Sequence, residues 1–191
     1  MKNSCGKLIV IVAPSGTGKS TLMKRVREEF EGVLIESVSY TTRAKRLGEK
    51  EGVDYFFINK NQFEKMIEKN EFIEWALVHG DYKGTSKIYV EKKIEKGCDL
   101  IFDLDIQGTD SIKSEFGNQA QTIFIKPPSY EVLEKRLRGR GTENEDAISL
   151  RLKNAKIELS RSDDYDYLII NDDVDLAYQQ LSRLIKELIG K

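Results

Sequence analysis

Apolar residues fall along this chain in two rhythms. Short continuous runs occur at residues 7–12 (KLIVIV), 99–104 (DLIFDL), 121–125 (QTIFI) and 167–170 (YLII). Runs of this kind suit strands covered on both faces. Between them the apolar positions recur every three or four residues. Leu22, Val26 and Phe30 share a helical face in 19–30, and Val132, Leu133 and Leu137 cluster in 130–137. Ile148, Leu152, Ala155 and Leu159 line one face of 147–159, and Ala177, Leu181, Leu184 and Leu188 one face of 174–189. Asp172 or Asp173 is placed to cap the last helix, and Pro127 and Pro128 stop the third strand. Strands alternating with helices predict an α/β fold with a mostly parallel central sheet.

The rhythm breaks between about residues 37 and 96, where short strand-like pieces (DYFFI, EFIEWALV) surround a helix near 62–69. This segment reads as an inserted lobe, leaving a core of residues 1–36 and 97–191 in a single domain. A second polar stretch, RLRGRGTENED, lies between two helices and reads as a mobile lid over about 138–150.

A chain of 191 residues buries roughly 70% of its unfolded surface, enough for one core with an insertion. Its 31 basic and 32 acidic residues nearly cancel, so no overall positive field argues for nucleic acid. Cys5 and Cys98 form no metal spacing and read as free thiols in a reducing compartment. The single histidine, His79, excludes a multi-histidine metal site and reads as a surface or turn residue. No apolar run approaches the ~18 residues of a membrane span. The first strand begins almost at once, so no signal peptide is expected and the cytoplasm is the expected compartment.

Residues 12–21, VAPSGTGKST, follow the first strand and open the first helix. They approach the phosphate-loop pattern G-x-x-x-x-G-K-[ST], with Ala13 in the place of the first glycine. The residue before a proline is held extended, so Ala13 is expected to have negative φ, where a methyl group does no harm. Pro14 has no N–H, so phosphate donors must come from later amides, with Gly16 and Gly18 permitting the curl. The loop from Ala13 and Pro14 through Ser15, Gly16, Thr17, Gly18, Lys19, Ser20 and Thr21 is thus a candidate triphosphate cradle. Lys19 can reach the β- and γ-phosphates, and Ser20 can ligate Mg²⁺. Asp103 and Asp105 end a buried strand where a parallel sheet places its ligands, and Asp103 suits a second Mg²⁺ handle. The plainer readings are a glycine turn before a helix and aspartates capping the next one.

Within the lobe, Arg43 and Arg46 form a pair suited to a phosphate dianion. Glu74 sits in an apolar context, where an ionised carboxylate needs donors. The adjacent N1–H and N2–H of guanine supply two, and adenine offers no such pair. The base-reading string N-K-x-D of simple GTP hydrolases is missing, since NKNQ at 59–62 ends in the wrong residue. Trp75 and the aromatics of DYFFI are expected to form the lobe's core.

Taken together, APSGTGKST, SVSYTTRAKRLGE, GVDYFFI, NEFIEWA, DLDIQG, PPS, RLRGRGTE and INDD resemble a guanylate kinase over about residues 6–188. The resemblance implies a P-loop three-layer sandwich that transfers phosphate from ATP to GMP with Mg²⁺. By position, Arg43, Arg46 and Tyr55 would hold the GMP phosphate, and Ser39, Glu74, Thr85 and Asp105 would surround guanine. Lys19 and Asp103 would sit at the transferring phosphate. Arg136, Arg140 and Arg151 would clamp the ATP phosphates from the lid side, and Asn171 would lie near adenine. One position departs: the family reads G-x-Y-Y-G-[ST], whereas GDYKGT puts Lys83 where the second tyrosine helps hold the GMP phosphate. Lys83 is expected to bind that phosphate as a point charge. Small-molecule substrates are the expected partners, without nucleic acid or membrane, and a homo-oligomer stays open. Lobe and lid are expected to close over the substrates. The alternatives are an inactive guanylate-kinase-like protein-binding module and a related kinase with another small phosphate acceptor.

Overall fold

The computed structural model describes residues 5–139 and 144–190. The chain begins with β1 (Leu8–Val12), α1 (Lys19–Glu29) and β2 (Leu34–Glu36). It continues through β3 (Tyr40–Thr41), β4 (Phe56–Phe57), α2 (Lys60–Glu68), β5 (Phe72–Val78), β6 (Asp81–Ser86) and α3 (Lys87–Glu95). It ends with β7 (Asp99–Asp103), α4 (Ile106–Phe116), β8 (Ala120–Lys126), α5 (Tyr130–Arg138), α6 (Glu145–Ser160), β9 (Tyr167–Ile170) and α7 (Val174–Ile189).

The central sheet runs β2-β7-β1-β8-β9, and every pairing in it is parallel. β1 lies in the middle and is buried along its whole length, which explains its unbroken apolar run. Alternate residues serve opposite faces. Ile9 and Ile11 pack with Leu22 and Val26 of α1 and Leu181 and Ile185 of α7. Leu8, Val10 and Val12 pack with Val90 and Ile94 of α3 and Ile112 of α4. Each such side chain contributes ~1.5–3 kcal/mol by leaving water. The result is three layers, helix–sheet–helix. α3 falls within 37–96 in sequence, yet its buried face belongs to the core.

The lobe is a second, four-stranded sheet in the order β4-β3-β6-β5. β5 and β6 form a hairpin through His79 and Gly80, whose φ values of 53° and 90° give the twist a two-residue turn requires. One face carries an aromatic stack: Phe63 of α2 lies 4.3 Å from Phe72 and 5.0 Å from Tyr82, and Tyr40 lies 4.7 Å from Phe56. Trp75, expected in this core, is instead at its rim, edge-on to Tyr82 and 47% exposed. β5 is the edge strand, so nothing covers the far side of the indole. Residues 59–62 prove to be a capping box. Asn59 Oδ1 accepts from the Gln62 amide at 2.9 Å, and Gln62 Oε1 accepts from the Asn59 amide at 3.0 Å.

Candidate active site

The loop after β1 is shaped by its glycines. Gly16 and Gly18 have φ of 91° and 98°, whereas Asn70 and His79 are the only non-glycine residues with positive φ among those described. Ala13 therefore has the negative φ that Pro14 imposes, and a side chain there costs nothing. The Thr17 amide donates to the Pro14 carbonyl at 3.2 Å, and α1 starts at Lys19 behind Gly18. Ala13, Pro14, Ser15, Gly16, Gly18, Lys19, Ser20 and Thr21 line a 360 Å³ cavity with Asp105, Ile106 and Glu158. Thr17 points away and is buried.

Three elements brace this loop. Asn171 follows β9, is only 3% exposed, and donates from Nδ2 to the Thr17 carbonyl at 2.6 Å. A methyl group on Gly18 would lie 2.5 Å from that same Nδ2, so loop and Asn171 fit only with glycine there. Arg136 of α5 donates to the carbonyls of Asn171 at 2.9 Å, Asp172 at 3.2 Å and Thr17 at 3.5 Å. Arg151 of α6 donates from Nη1 to Ser15 Oγ at 2.6 Å. Arg140 lies outside the described residues, as does 141–143 of the 138–150 stretch.

β7 pairs with β1 and brings Asp103 beside the loop. Lys19 Nζ is 2.5 Å from Asp103 Oδ1 and donates to the Leu104 carbonyl at 3.3 Å. Asp105 caps α4 by accepting from the Gly108 amide at 2.8 Å. Beyond this point opens a 570 Å³ cavity lined by Ser37, Ser39, Tyr55, Thr85, Asp103 and Leu104, among others. The C-terminal end of β7 thus divides two cavities, one at the glycine loop and one toward the lobe. A larger depression, 790 Å³, lies on the open surface of α1 and α7 around Glu29 and Lys186, away from the strand ends.

The lobe sheet turns one face to the second cavity. Lys83 and Thr85 are two residues apart on β6, so they share a side. Thr41 pairs with Lys83 and with Phe57, and Glu74 pairs with Thr85. Thr85 Oγ1 donates to Glu74 Oε1 at 2.6 Å. Burial raises the Glu74 pKa, partly offset by the Thr85 bond, with nearby Asp105 raising it further. Arg43 Cζ lies 5.5 Å from the Tyr55 ring centre, and Lys83 Nζ lies 5.4 Å from the same centre. The aromatics of 54–58 therefore divide: Phe56 joins the lobe's core, while Tyr55 and Phe57 face the cations.

Some participants escaped the sequence reading. Glu49 accepts from Arg43 Nη2 at 2.7 Å and from the Arg46 amide at 2.7 Å, and the Arg43 bond holds its pKa below the usual carboxylate range. Glu158 of α6 borders the loop cavity, and burial raises its pKa, with Lys19 opposing and Asp105 adding. Its signal in the sequence was the seven-residue spacing from Arg151, which puts both on one side of a helix. Ser37 Oγ is shielded from solvent, has no partner among the described residues, and belongs to a residue lining the second cavity.

A parallel sheet with a phosphate loop after its first strand, a lysine–aspartate pair at its rim and a second cavity beside it defines a P-loop nucleotide-binding protein of the phosphotransferase type. The guanylate kinase family model matches residues 5–188, and the chain belongs to that family. The guanylate kinase of Rickettsia felis is 46% identical over 180 residues, covering 94% of this chain and 93% of that one. The guanylate kinase of Mycoplasma genitalium is 43% identical over 188 residues, covering 98% and 78%. A crystal structure of guanylate kinase from Anaplasma phagocytophilum superposes with a TM-score of 0.68 at 32% identity, covering 98% of this chain and 88% of that chain.

Proposed function

We propose that the chain is an ATP-dependent guanylate kinase, transferring the γ-phosphoryl group of ATP to GMP to give ADP and GDP. The observation that carries this reading is the shared face of the lobe sheet. The bonded pair Glu74–Thr85 lies on the same side as Lys83, Tyr55 and Arg43, next to a cavity that meets the glycine loop at Asp103. A carboxylate that accepts two adjacent donors suits guanine, and a cluster of cations one strand-step away suits its 5′-phosphate. Ser39, Thr85 and Asp105 complete the base side, and Arg46 adds to the phosphate side.

ATP would lie in the loop cavity with its phosphates on the amides of residues 16–21 and Lys19 between donor and acceptor. Asn171 and Arg136 act there by fixing the loop, since their donors are already engaged by loop and neighbouring carbonyls. Arg151 approaches the same loop at Ser15. For Mg²⁺, the Ser20 hydroxyl and the Asp103 carboxylate are the fitting residues. They are few hard oxygen donors, as expected where substrate phosphates and water fill most of the coordination shell. Among the described residues no group of three or more acidic, histidine or cysteine side chains could hold a metal alone. Bound there, the ion would neutralise charge on the β- and γ-phosphates.

The attacking group is a phosphate oxygen that is already anionic, so no strong general base is needed. The barrier is the approach of two anions, lowered by alignment and by positive charge from Lys19 and the arginines. Lys19 now rests on Asp103, which keeps its charge aimed at the meeting point of the two cavities. No described helix is long and apolar enough to cross a membrane, and the cytoplasm, where both nucleotides occur, is the proposed compartment.

ADP release measured across GMP, dGMP, AMP, UMP and dTMP tests this reading. Turnover confined to guanine nucleotides is expected. Turnover with another acceptor would point to a related kinase, and none with any nucleotide would point to a binding module.

A further inference from the structure

Arg43 and Lys83 approach one aromatic ring, that of Tyr55, at 5.5 and 5.4 Å from its centre. Like charges gathered this closely repel unless something negative lies among them. The tyrosine ring offers only its quadrupole, which is attractive to a cation but carries no net charge. Arg43 has a carboxylate of its own: Glu49 Oε1 lies 2.7 Å from Nη2, with both side chains largely shielded, at 16% and 19% exposure. Glu49 is tied into its own turn, since its amide donates to the Arg46 carbonyl at 3.2 Å while its carboxylate accepts from the Arg46 amide. It is therefore a fixed partner of Arg43. Asp81 opens β6, faces Thr42 and adds a negative field at Arg43. Lys83 pairs with no carboxylate among the described residues. The pocket around Tyr55 thus keeps one uncompensated positive charge.

That charge has a fixed relation to the base side of the site. Lys83 and Thr85 alternate on one strand, ~7 Å apart and on the same face. Thr85 bonds Glu74 at one end of this row, and Lys83 stands at the other. Unlike an arginine fork or a tyrosine hydroxyl, an ammonium on a flexible stem acts as a point charge without a demanding geometry.

We propose that Lys83 is the specificity-determining residue that makes acceptor capture depend on the net charge of its phosphate. It acts by charge beside Arg43, not by one directed hydrogen bond. This rests on the reading of the lobe face as the GMP site.

Steady-state kinetics of the full chain and its Lys83→Met, Lys83→Arg and Lys83→Tyr variants, at ~0.02 and ~0.5 M KCl, provide the test, with guanosine as a phosphate-free competitor. Lys83→Met is expected to raise KM for GMP about tenfold at low salt, the scale of one charged contact. KM for ATP and the inhibition constant of guanosine should stay at parental values. The parent's KM for GMP should climb with salt, Lys83→Arg should climb alike, and Lys83→Met and Lys83→Tyr should climb less. Parental KM and salt response in Lys83→Met would overturn the proposal. So would a loss of guanosine affinity in step with GMP, which marks a merely structural role. A parent inert toward GMP at both salts would overturn the functional reading, and this inference with it.

Discussion

Burial raises the Glu74 pKa because the carboxylate sits between two strands of the lobe with one hydroxyl, Thr85 Oγ1, as its protein donor. An ionised carboxylate with unmet acceptor capacity costs stability, and the adjacent N–H groups of guanine would restore what water no longer supplies. Glu74→Gln keeps the shape and removes the charge. KM for GMP should then rise about 10- to 100-fold, the worth of one to two charge-assisted bonds, with KM for ATP little changed. The melting temperature should hold or rise, because a group with a raised folded-state pKa opposes folding when ionised. Steady-state kinetics and a thermal melt at pH 7.5 check both halves. A fall in melting temperature together with an unchanged KM would show that Glu74 is a structural residue. Lys19 illustrates the other case at this scale: its loop context was plain in the sequence, yet its contact with Asp103 depends on β1 and β7 lying side by side, 84 residues apart in the chain.

Elements divide in the same way between what local pattern specifies and what only tertiary pairing decides. The five strands of the parallel sheet and the helices α1, α5, α6 and α7 were legible, because a covered strand and a half-covered helix leave different apolar periods. The lobe was legible as an interruption but not as a sheet. Its strands β3 and β4 have two residues each, too few for an alternation to register. The side of the sheet that each aromatic faces follows from register with β6, so Trp75 at the edge strand and Tyr55 among the cations could not be told from Phe56. Glu49 and Glu158 were missed for a related reason: each is an ordinary charged residue until a distant arginine or lysine gives it a partner. The element that holds this lobe together is α2, through Phe63, which is fully buried between Phe72 and Tyr82. Phe63→Ala should cost ~3–5 kcal/mol of packing within the lobe. Because the glycine loop belongs to the other sheet, nucleotide titrations should show GMP affinity falling at least tenfold while ATP-analogue affinity stays near the parent's. Equal losses for both ligands would show that lobe and core fold as one inseparable unit.

For the whole molecule, the titrating carboxylates fall into two groups with opposite signs. Glu74 and Glu158, at the site, have raised pKa values, so their ionisation works against the fold. Glu29 does the reverse. It lies on α1 and gathers groups from α7: Lys186 Nζ at 2.6 Å, Ser182 Oγ at 2.8 Å, and the Tyr178 hydroxyl, which also donates to the Arg25 carbonyl. Lys186 foremost, then Tyr178, hold the Glu29 pKa down to about 2. A carboxylate with a depressed folded-state pKa binds its proton more readily in the unfolded chain. Its contribution is therefore complete above the unfolded value of ~4.3 and is lost as pH falls toward 2. The cluster fastens the last helix to the helix that begins at the phosphate loop, so its failure should be felt as global unfolding. Glu29→Gln should lower the denaturation midpoint at pH 7 and flatten the pH dependence of stability between about 5 and 2, while KM for either nucleotide stays near parental. Denaturant melts at pH 7, 5, 4 and 3 measure this. The parent and Glu29→Gln curves should converge toward the acid end, since protonation there has already removed in the parent what the substitution removes. Curves that stay parallel across the range would mean that the carboxylate's charge is not what joins α1 to α7.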